Sequence, residues 1–261
     1  MNLLDKIITH KRQEVAQKKA TTPLAVLEQS PDYALPVRSL NASLLQAHST
    51  GIIAEFKRKS PSKGFIQQNA DATLITQGYT QNGAAGLSVL TDSYFFGGSN
   101  QDLQVARKNN VPILRKDFII DEYQIAEAKS IGADVVLLIA ACLTPKRVEQ
   151  LAKTASSLGL ETILELHAEE EMEHICDAVT MVGINNRDLK TFRVDIDRSL
   201  RMAAQIPRDK LKIAESGIST INDIRIFRQN GFQGFLIGEH FMKQANTVQS
   251  FKAFVEELKM L

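Results

Sequence analysis

The stretch Gly51-Ile52-Ile53-Ala54-Glu55-Phe56-Lys57 is short, rich in β-branched and apolar residues, and places its charges two positions apart. It reads as a β-strand. Alternate side chains of a strand share a face, so Ile53, Glu55 and Lys57 point one way while Ile52, Ala54 and Phe56 point the other. The wholly apolar face suits a covering of helices. The face that ends in charges then turns toward the interior of whatever the strand helps to enclose.

Further runs of this kind follow at Gly86–Thr91, Pro112–Lys116, Asp134–Ala140, Thr162–His167, Met181–Asn185, Lys212–Ser216 and Gly234–Gly238, about eight in all and roughly 20–35 residues apart. Helical patterns lie between them. Thr144-Pro145, Asp121-Glu122 and Ser219-Thr220 carry the chemistry of helix starts, and Gly132 and Gly159 sit where helices should stop. Strand and helix alternating eight times in about 210 residues imply parallel strands with helical crossovers, the count that closes a (β/α)8 barrel. A doubly wound open sheet competes, but no G-x-G-x-x-G follows the first strand. Ahead of the barrel, Leu3, Leu4, Ile7, Ile8 and Val15 are expected on one side of an amphipathic helix with Lys and Arg on the other. A polar connection through Thr22-Pro23 and Ser30-Pro31 leads on from it. The expected organisation is a single domain over 1–261, with 1–50 a helical extension and 51–261 the barrel.

The pattern of the first strand recurs. Lys116 ends the third strand on the face of Leu114, and Phe118 continues that alternation. Glu165 follows Ile163 on the fifth, Asn185 and Arg187 close the sixth, and Glu215 follows Ile213 on the seventh. Three cations (Lys57, Lys116, Arg187) and three carboxylates (Glu55, Glu165, Glu215) therefore converge on the C-terminal mouth, where barrel enzymes place their active sites. Such charges are costly to desolvate unless paired or used. A salt-bridge network capping the core is the alternative to a reactive site. Apolar residues would fill that space more cheaply, which favours chemistry.

Glu215-Ser216-Gly217-Ile218 and Leu236-Ile237-Gly238-Glu239 end the seventh and eighth strands with small residues, at the two loops that form the usual barrel phosphate cradle. The basic loop Lys57-Arg58-Lys59-Ser60-Pro61-Ser62-Lys63-Gly64 offers a further anion contact. No metal set is expected: His167 and His174 flank Glu169–Glu171 without the spacing of H-E-x-x-H or H-x-x-E-H.

Composition narrows the field further. The 261 residues carry 31 Lys+Arg against 30 Asp+Glu, a net charge of +1, so nucleic acid is not an expected partner. The hydrophobic share of 44% and charged share of 23% are those of an ordinary globular chain, not of a disordered one. Cys142 and Cys176 form no C-x-x-C pair and read as inert thiols in a reducing, cytoplasmic setting. No apolar run approaches the roughly 20 residues of a membrane span, and charges interrupt the start before a secretion signal could build.

The string Ile53-Ala54-Glu55-Phe56-Lys57-Arg58-Lys59-Ser60-Pro61-Ser62-Lys63-Gly64 closely resembles the signature of the indole-3-glycerol phosphate synthase family. Leu114–Asp121, Ala133–Ile139, Leu164–His167, Gly183–Leu189, Ala214–Ile218 and Leu236–Glu239 resemble that family's strand ends in order. The leading helix resembles its extra N-terminal segment. The resemblance implies a barrel that turns 1-(2-carboxyphenylamino)-1-deoxyribulose 5-phosphate into indole-3-glycerol phosphate, carbon dioxide and water, with no cofactor. It implies Lys116 as general acid, Lys57 at the substrate carboxylate, Glu165 as acid or base, and Glu55, Asn185, Arg187 and Glu215 as orienting groups. It also implies Phe118 and Leu138 on the apolar side, Ser60, Gly217, Gly238 and Glu239 at the phosphate, and Ser216 among the substrate-binding residues. Position 239 departs from members that carry Ser there, which removes a hydroxyl but leaves the backbone N–H. The expected partner is a phosphorylated small molecule, with neither nucleic acid nor membrane. A monomer is expected, a larger assembly being left open. Two alternatives share the fold: a phosphoribosylanthranilate isomerase-like enzyme, and a non-catalytic barrel that binds a phosphorylated metabolite.

Overall fold

The computed structural model describes residues 2–188 and 193–260. Leu189, the last residue of one of the resembling strings, lies outside them. Eight parallel strands close a barrel: β1 (Ile52–Phe56), β2 (Gly86–Leu90), β3 (Ile113–Lys116), β4 (Val135–Ile139), β5 (Glu161–Leu166), β6 (Met181–Asn185), β7 (Leu211–Glu215) and β8 (Phe232–Ile237). They follow one another around the ring, and β1 pairs with both β2 and β8. All the strands expected from the sequence are present, within two residues at each end.

Local chemistry sets the crossovers. Thr144 caps the helix Pro145–Ser157 by accepting from the Arg147 N–H, and Asp121 and Thr220 cap Glu122–Ser130 and Ile221–Gln229 through reciprocal capping boxes. Gly132 and Gly159 follow helix ends with φ of 87° and 76°, a region costly for any other residue.

The strand alternation separates two cores. Ile52, Ala54, Phe56, Val136, Leu138 and Leu164 face the helices, whereas Ile53, Leu114, Leu137, Ile163, Ile213 and Leu236 fill the barrel. The N-terminal segment reaches both ends. Helix α1 (Leu3–Thr21) brings Leu3, Leu4 and Ile7 to the mouth, and the short helix Leu40–Leu44 drives Leu40 and Leu44 into the floor. There the Glu161 carboxylate accepts from the Leu40 and Asn41 N–H groups at 2.8 and 3.1 Å. A Cβ at Gly86 would lie 2.7 Å from Leu40 Cδ1, so this floor contact requires glycine.

The buried face of α1 corrects the sequence expectation. Ile7, Lys11 and Val15 are buried, Ile8 is only half-buried, and Leu3 is exposed. Lys11, placed by periodicity among the solvent-facing cations, is wholly buried. Its Nζ lies 2.8 Å from Glu14, 2.9 Å from Asp117 and 3.0 Å from Asp92, and these partners make its burial affordable.

Candidate active site

The inward-facing charges meet above the apolar barrel core. Lys57 and Glu55, two residues apart on one face of β1, pair at 2.5 Å. Lys116, at the end of β3, donates to Glu165 Oε2 at 2.6 Å and to Glu215 Oε2 at 2.7 Å, thereby tying β3 to β5 and β7. Asn185 Nδ2 donates to the other Glu165 oxygen at 2.9 Å, and Asn185 Oδ1 accepts from the Arg187 N–H at 3.0 Å. These groups line a cavity of about 970 Å³ whose outer wall includes Leu3, Leu4 and Ile7 of α1.

Burial and mutual charge set the protonation of this cluster. Burial disfavours the Lys116 ammonium, but Glu165, Glu215 and Glu55 outweigh it and raise its pKa, so Lys116 remains charged. Burial also works against ionised Glu165, yet Lys116 and His167 hold it well below the usual carboxylate range. Glu215 goes the other way. Burial raises its pKa, and the neighbouring carboxylates Glu165 and Glu55 limit what Lys116 can take back. Its Oε1 is buried and has no hydrogen-bond partner among the described residues. The pKa values of two carboxylates on one ammonium are thus pushed in opposite directions.

The opposite end of the cavity is built from backbone. Ser216 and Gly217 both take positive φ, 67° and 73°, and the buried Asn186 holds this turn by donating to the Ser216 carbonyl at 2.7 Å. Gly238 precedes the one-turn helix Glu239–Met242, whose first N–H groups lack intrahelical partners. A Cβ at Gly238 would lie 2.5 Å from Glu55 Oε1, so glycine here makes room for a β1 carboxylate. Ser60 and Ser62 come from the loop after β1, and Arg187 reaches Glu239 at 3.3 Å across the rim. Backbone N–H groups and hydroxyls around one recess suit a phosphate.

The structure brings together Lys57, Lys116, Glu55, Glu165, Asn185, Glu215, Arg187, Phe118, Ser60, Ser216, Gly217, Gly238 and Glu239 around this cavity. Leu138 is the exception. It is buried in the outer layer, and the apolar wall is made by Leu137 and Ile139 of the opposite parity, with Leu90, Phe96 and Phe118. The basic loop also contributes less than its charge suggested. Arg58 turns away to pair with Asp102 at 2.6 and 2.8 Å, and Lys59 donates to the Tyr94 carbonyl. His167 was passed over in sequence because it fits no metal motif. It lines the cavity with Nε2 3.0 Å from Glu165 Oε1, and its place two residues after Glu165 was the signal available. Among the described residues no group of three or more metal-ligating side chains occurs.

Fold and site together define a (β/α)8-barrel enzyme with a lysine–carboxylate centre beside an anion cradle. The profile of the family described as indole-3-glycerol phosphate synthase matches residues 4–254. The chain is 46% identical over 259 residues to the indole-3-glycerol phosphate synthase of Bacteroides thetaiotaomicron, covering 99% of each sequence. It is 42% identical to that of Rhodopirellula baltica, over 98% of this chain and 99% of that one. For Acinetobacter baumannii the figures are 41%, 96% and 94%. Solved barrels share the architecture at low identity. A chain of the tryptophan synthase complex of Pyrococcus furiosus superposes with a TM-score of 0.60 at 17% identity, covering 82% of this chain and 99% of that one. The 3-hexulose-6-phosphate synthase of Salmonella typhimurium gives 0.62 at 11%, covering 80% and 98%.

The chain belongs to the indole-3-glycerol phosphate synthase family. Its activity is that of a carbon–carbon lyase of tryptophan biosynthesis, closing the indole ring with loss of carbon dioxide and water. Among the described residues no helix is long and apolar enough to cross a membrane.

Proposed function

We propose that Lys116 is the general acid of ring closure, acting on 1-(2-carboxyphenylamino)-1-deoxyribulose 5-phosphate held with its phosphate at Ser60, Ser216, Gly217, Gly238 and Glu239. The ring carbon bearing the carboxylate attacks the ketone carbon, and the developing oxyanion takes a proton from the Lys116 ammonium. The carboxylate then leaves as carbon dioxide, returning its bonding pair to the ring. Finally the new hydroxyl leaves as water after protonation, and a base removes the remaining carbon-bound proton to complete the indole. Glu165 and Lys57 are suited to these last transfers, since Glu165 is held ionised and Lys57 stands across the mouth beside Glu55. Asn185 and Glu215 orient Glu165 and Lys116, Arg187 holds the anthranilate carboxylate with Lys57, and Phe118 with Leu137 covers the aromatic ring.

The observation that carries this reading is the double contact of Lys116 with Glu165 and Glu215 inside the apolar barrel. It supports an ammonium that gives one proton and regains it from neighbours. Purified protein mixed with the substrate is expected to form fluorescent indole product without added nucleotide or metal. Lys116→Ala is expected to lower kcat by about 10²-fold or more. An unchanged kcat would remove Lys116 from the mechanism. We further propose that residues 1–261 fold as one domain that acts as a single chain in the cytoplasm without nucleic acid. The near-zero net charge and the reach of the N-terminal segment to both barrel ends support that view.

A further inference from the structure

Proton balance poses a demand that Lys116 and Glu165 cannot meet alone. A substrate that enters as a carboxylate and leaves as neutral carbon dioxide, with a hydroxyl lost as water, consumes one proton from solvent in every turnover. Lys116 and Glu165 lie inside the barrel mouth under α1, with side chains 14% and 5% exposed. A route inward is therefore required.

His167 occupies that route. It extends β5 two residues past Glu165, so both side chains point into the same cavity. The ring is only 8% exposed, with Nε2 3.0 Å from Glu165 Oε1 and Nδ1 4.0 Å from Glu171 Oε2, on the turn Glu169–His174 at the rim. Neither ring nitrogen completes a hydrogen bond among the described residues, so the approach of Nε2 to Glu165 is that of an ion pair and Nδ1 is left unpartnered toward the rim. The Glu171 carboxylate is fixed beside it by accepting from the N–H groups of His167 and Ala168. A buried ring with one nitrogen on the catalytic carboxylate and the other aimed at a rim carboxylate has the form of a relay.

We propose that His167 is the proton inlet of the site, a positioning residue that acts through Glu165 and recharges Lys116 once per turnover. The step balances. After Lys116 has given a proton to the substrate oxygen, the Nε2–H of His167 imidazolium passes a proton to the Glu165 carboxylate. The carboxylic acid passes one to the neutral Lys116 amine, and the ring, left as its Nδ1–H tautomer beside Glu171, regains its Nε2 proton from solvent. The charges facing the ring suit this duty. Glu165 on its own strand, Glu171 on the following turn and Glu215 on β7 favour the imidazolium, while Lys116 lies beyond Glu165. Burial alone would lower the ring's pKa, but Glu165 and then Glu171 outweigh it, and the result is raised. Cys142 does not compete, because burial together with Glu165 and Glu171 pushes its thiol up to about 12.

The inference rests on Glu165 as a proton-transfer group, and the test separates the two. In His167→Ala the first turnover draws on protons already in the site. Rapid mixing is expected to show a burst of about one product per site, then a steady state at least ~10-fold slower than the unaltered protein, with KM within about 2-fold. Added imidazole is expected to restore the steady rate. His167→Asn keeps an amide beside Glu165 but carries no exchangeable charge, so it is expected to behave like the Ala variant. Full rescue by Asn, equal slowing of the burst and the steady state, or wild-type rates in both variants each overturn the relay. In the unaltered protein kcat is expected to fall as pH rises through the raised histidine pKa, and a flat kcat from about pH 6 to about pH 9 overturns it as well. A fully active Glu165→Gln would instead overturn the role of Glu165.

Discussion

On the outer side of β3, Arg115 and Asp117 join a cluster with buried Lys11, Asp92 and Glu127 and half-buried Glu14 and Lys18. On the inner side Lys116 joins Glu165 and Glu215. The outer cluster is closed by ion pairs: Lys11 meets Asp92 and Asp117, Arg115 meets Asp117 and Glu127, and Lys18 meets Glu14 and Glu127, all within 3.3 Å, although Asp92 Oδ2 completes no hydrogen bond among the described residues. Thr91 adds a donor to Asp117 at 2.6 Å. The inner cluster is open, with Glu215 Oε1 unpartnered and one ammonium shared between two carboxylates. Burial is similar on both sides, so burial does not separate scaffold from chemistry. Ion pairing does: each outer charge has an oppositely charged partner that helps hold α1 on the barrel, whereas the inner centre, proposed above to exchange protons, keeps a carboxylate oxygen with neither ion pair nor hydrogen bond among the described residues.

The comparison breaks most visibly at its two lysines. Lys11→Met leaves Asp92 and Asp117 facing each other without their shared cation, and chemical denaturation is expected to show a loss of about 3–5 kcal/mol. Lys116→Met is expected to cost distinctly less stability, because burial and the neighbouring carboxylates already raise the Glu215 pKa, so that Glu215 can take up a proton in place of the lost charge. A Lys116→Met variant less stable than Lys11→Met would reverse the assignment of the two clusters.

These two lysines also mark the reach of sequence reading. Strands, crossovers and mouth charges were legible, because a charge on an otherwise apolar strand fixes which face is inward. Glu55, Lys116, Glu165 and Glu215 all carried that mark. The strand Val135–Ile139 carries no charge, so nothing local told Leu137 from Leu138, and the family likeness pointed to the wrong parity. Lys11 was illegible for a different reason. Helical periodicity assigns lysine to solvent, and its partners Asp92 and Asp117 lie about 80 and 106 residues away in other elements. His167 could be placed beside Glu165 by alternation, but the orientation of Glu171 depends on the turn after β5.

The two clusters should also part company along the pH axis. In the outer one, burial raises the Glu127 pKa, but Arg115 and Lys18 outweigh it and bring it to about 2. A depressed carboxylate contributes stability that is full above its ordinary value and lost as pH falls through the folded one. That loss amounts to ~3 kcal/mol at most for Glu127. Glu215 has the opposite sign: its raised pKa means the folded chain takes up a proton first, so stability grows as pH falls from that raised value toward the ordinary carboxylate range. Denaturation midpoints across pH are expected to rise on mild acidification and fall on strong acidification. Glu215→Gln should remove the first slope and Glu127→Gln a part of the second, which the depressed carboxyls of Asp117 and Glu165 share. A single monotonic profile unaffected by either substitution would erase the distinction.

The smallest effect tests whether closure or mere pairing holds α1. Lys19 reaches Asp121 across the same seam as Lys11 and at the same 2.8 Å that separates Lys11 from Glu14, but its side chain is 48% exposed. Water and salt screen that pair, and holding two long side chains costs entropy, so exposed pairs contribute about 0–1 kcal/mol. Lys19→Ala is expected to fall in that range and to vanish in high salt, whereas the Lys11→Met deficit should persist there because its partners are shielded from ions. Asp121 must be kept intact in this test, since it also caps the helix Glu122–Ser130. If Lys19→Ala cost as much as Lys11→Met, distance alone would govern the attachment of α1. If it costs little, the seam is held by the charges that water cannot reach.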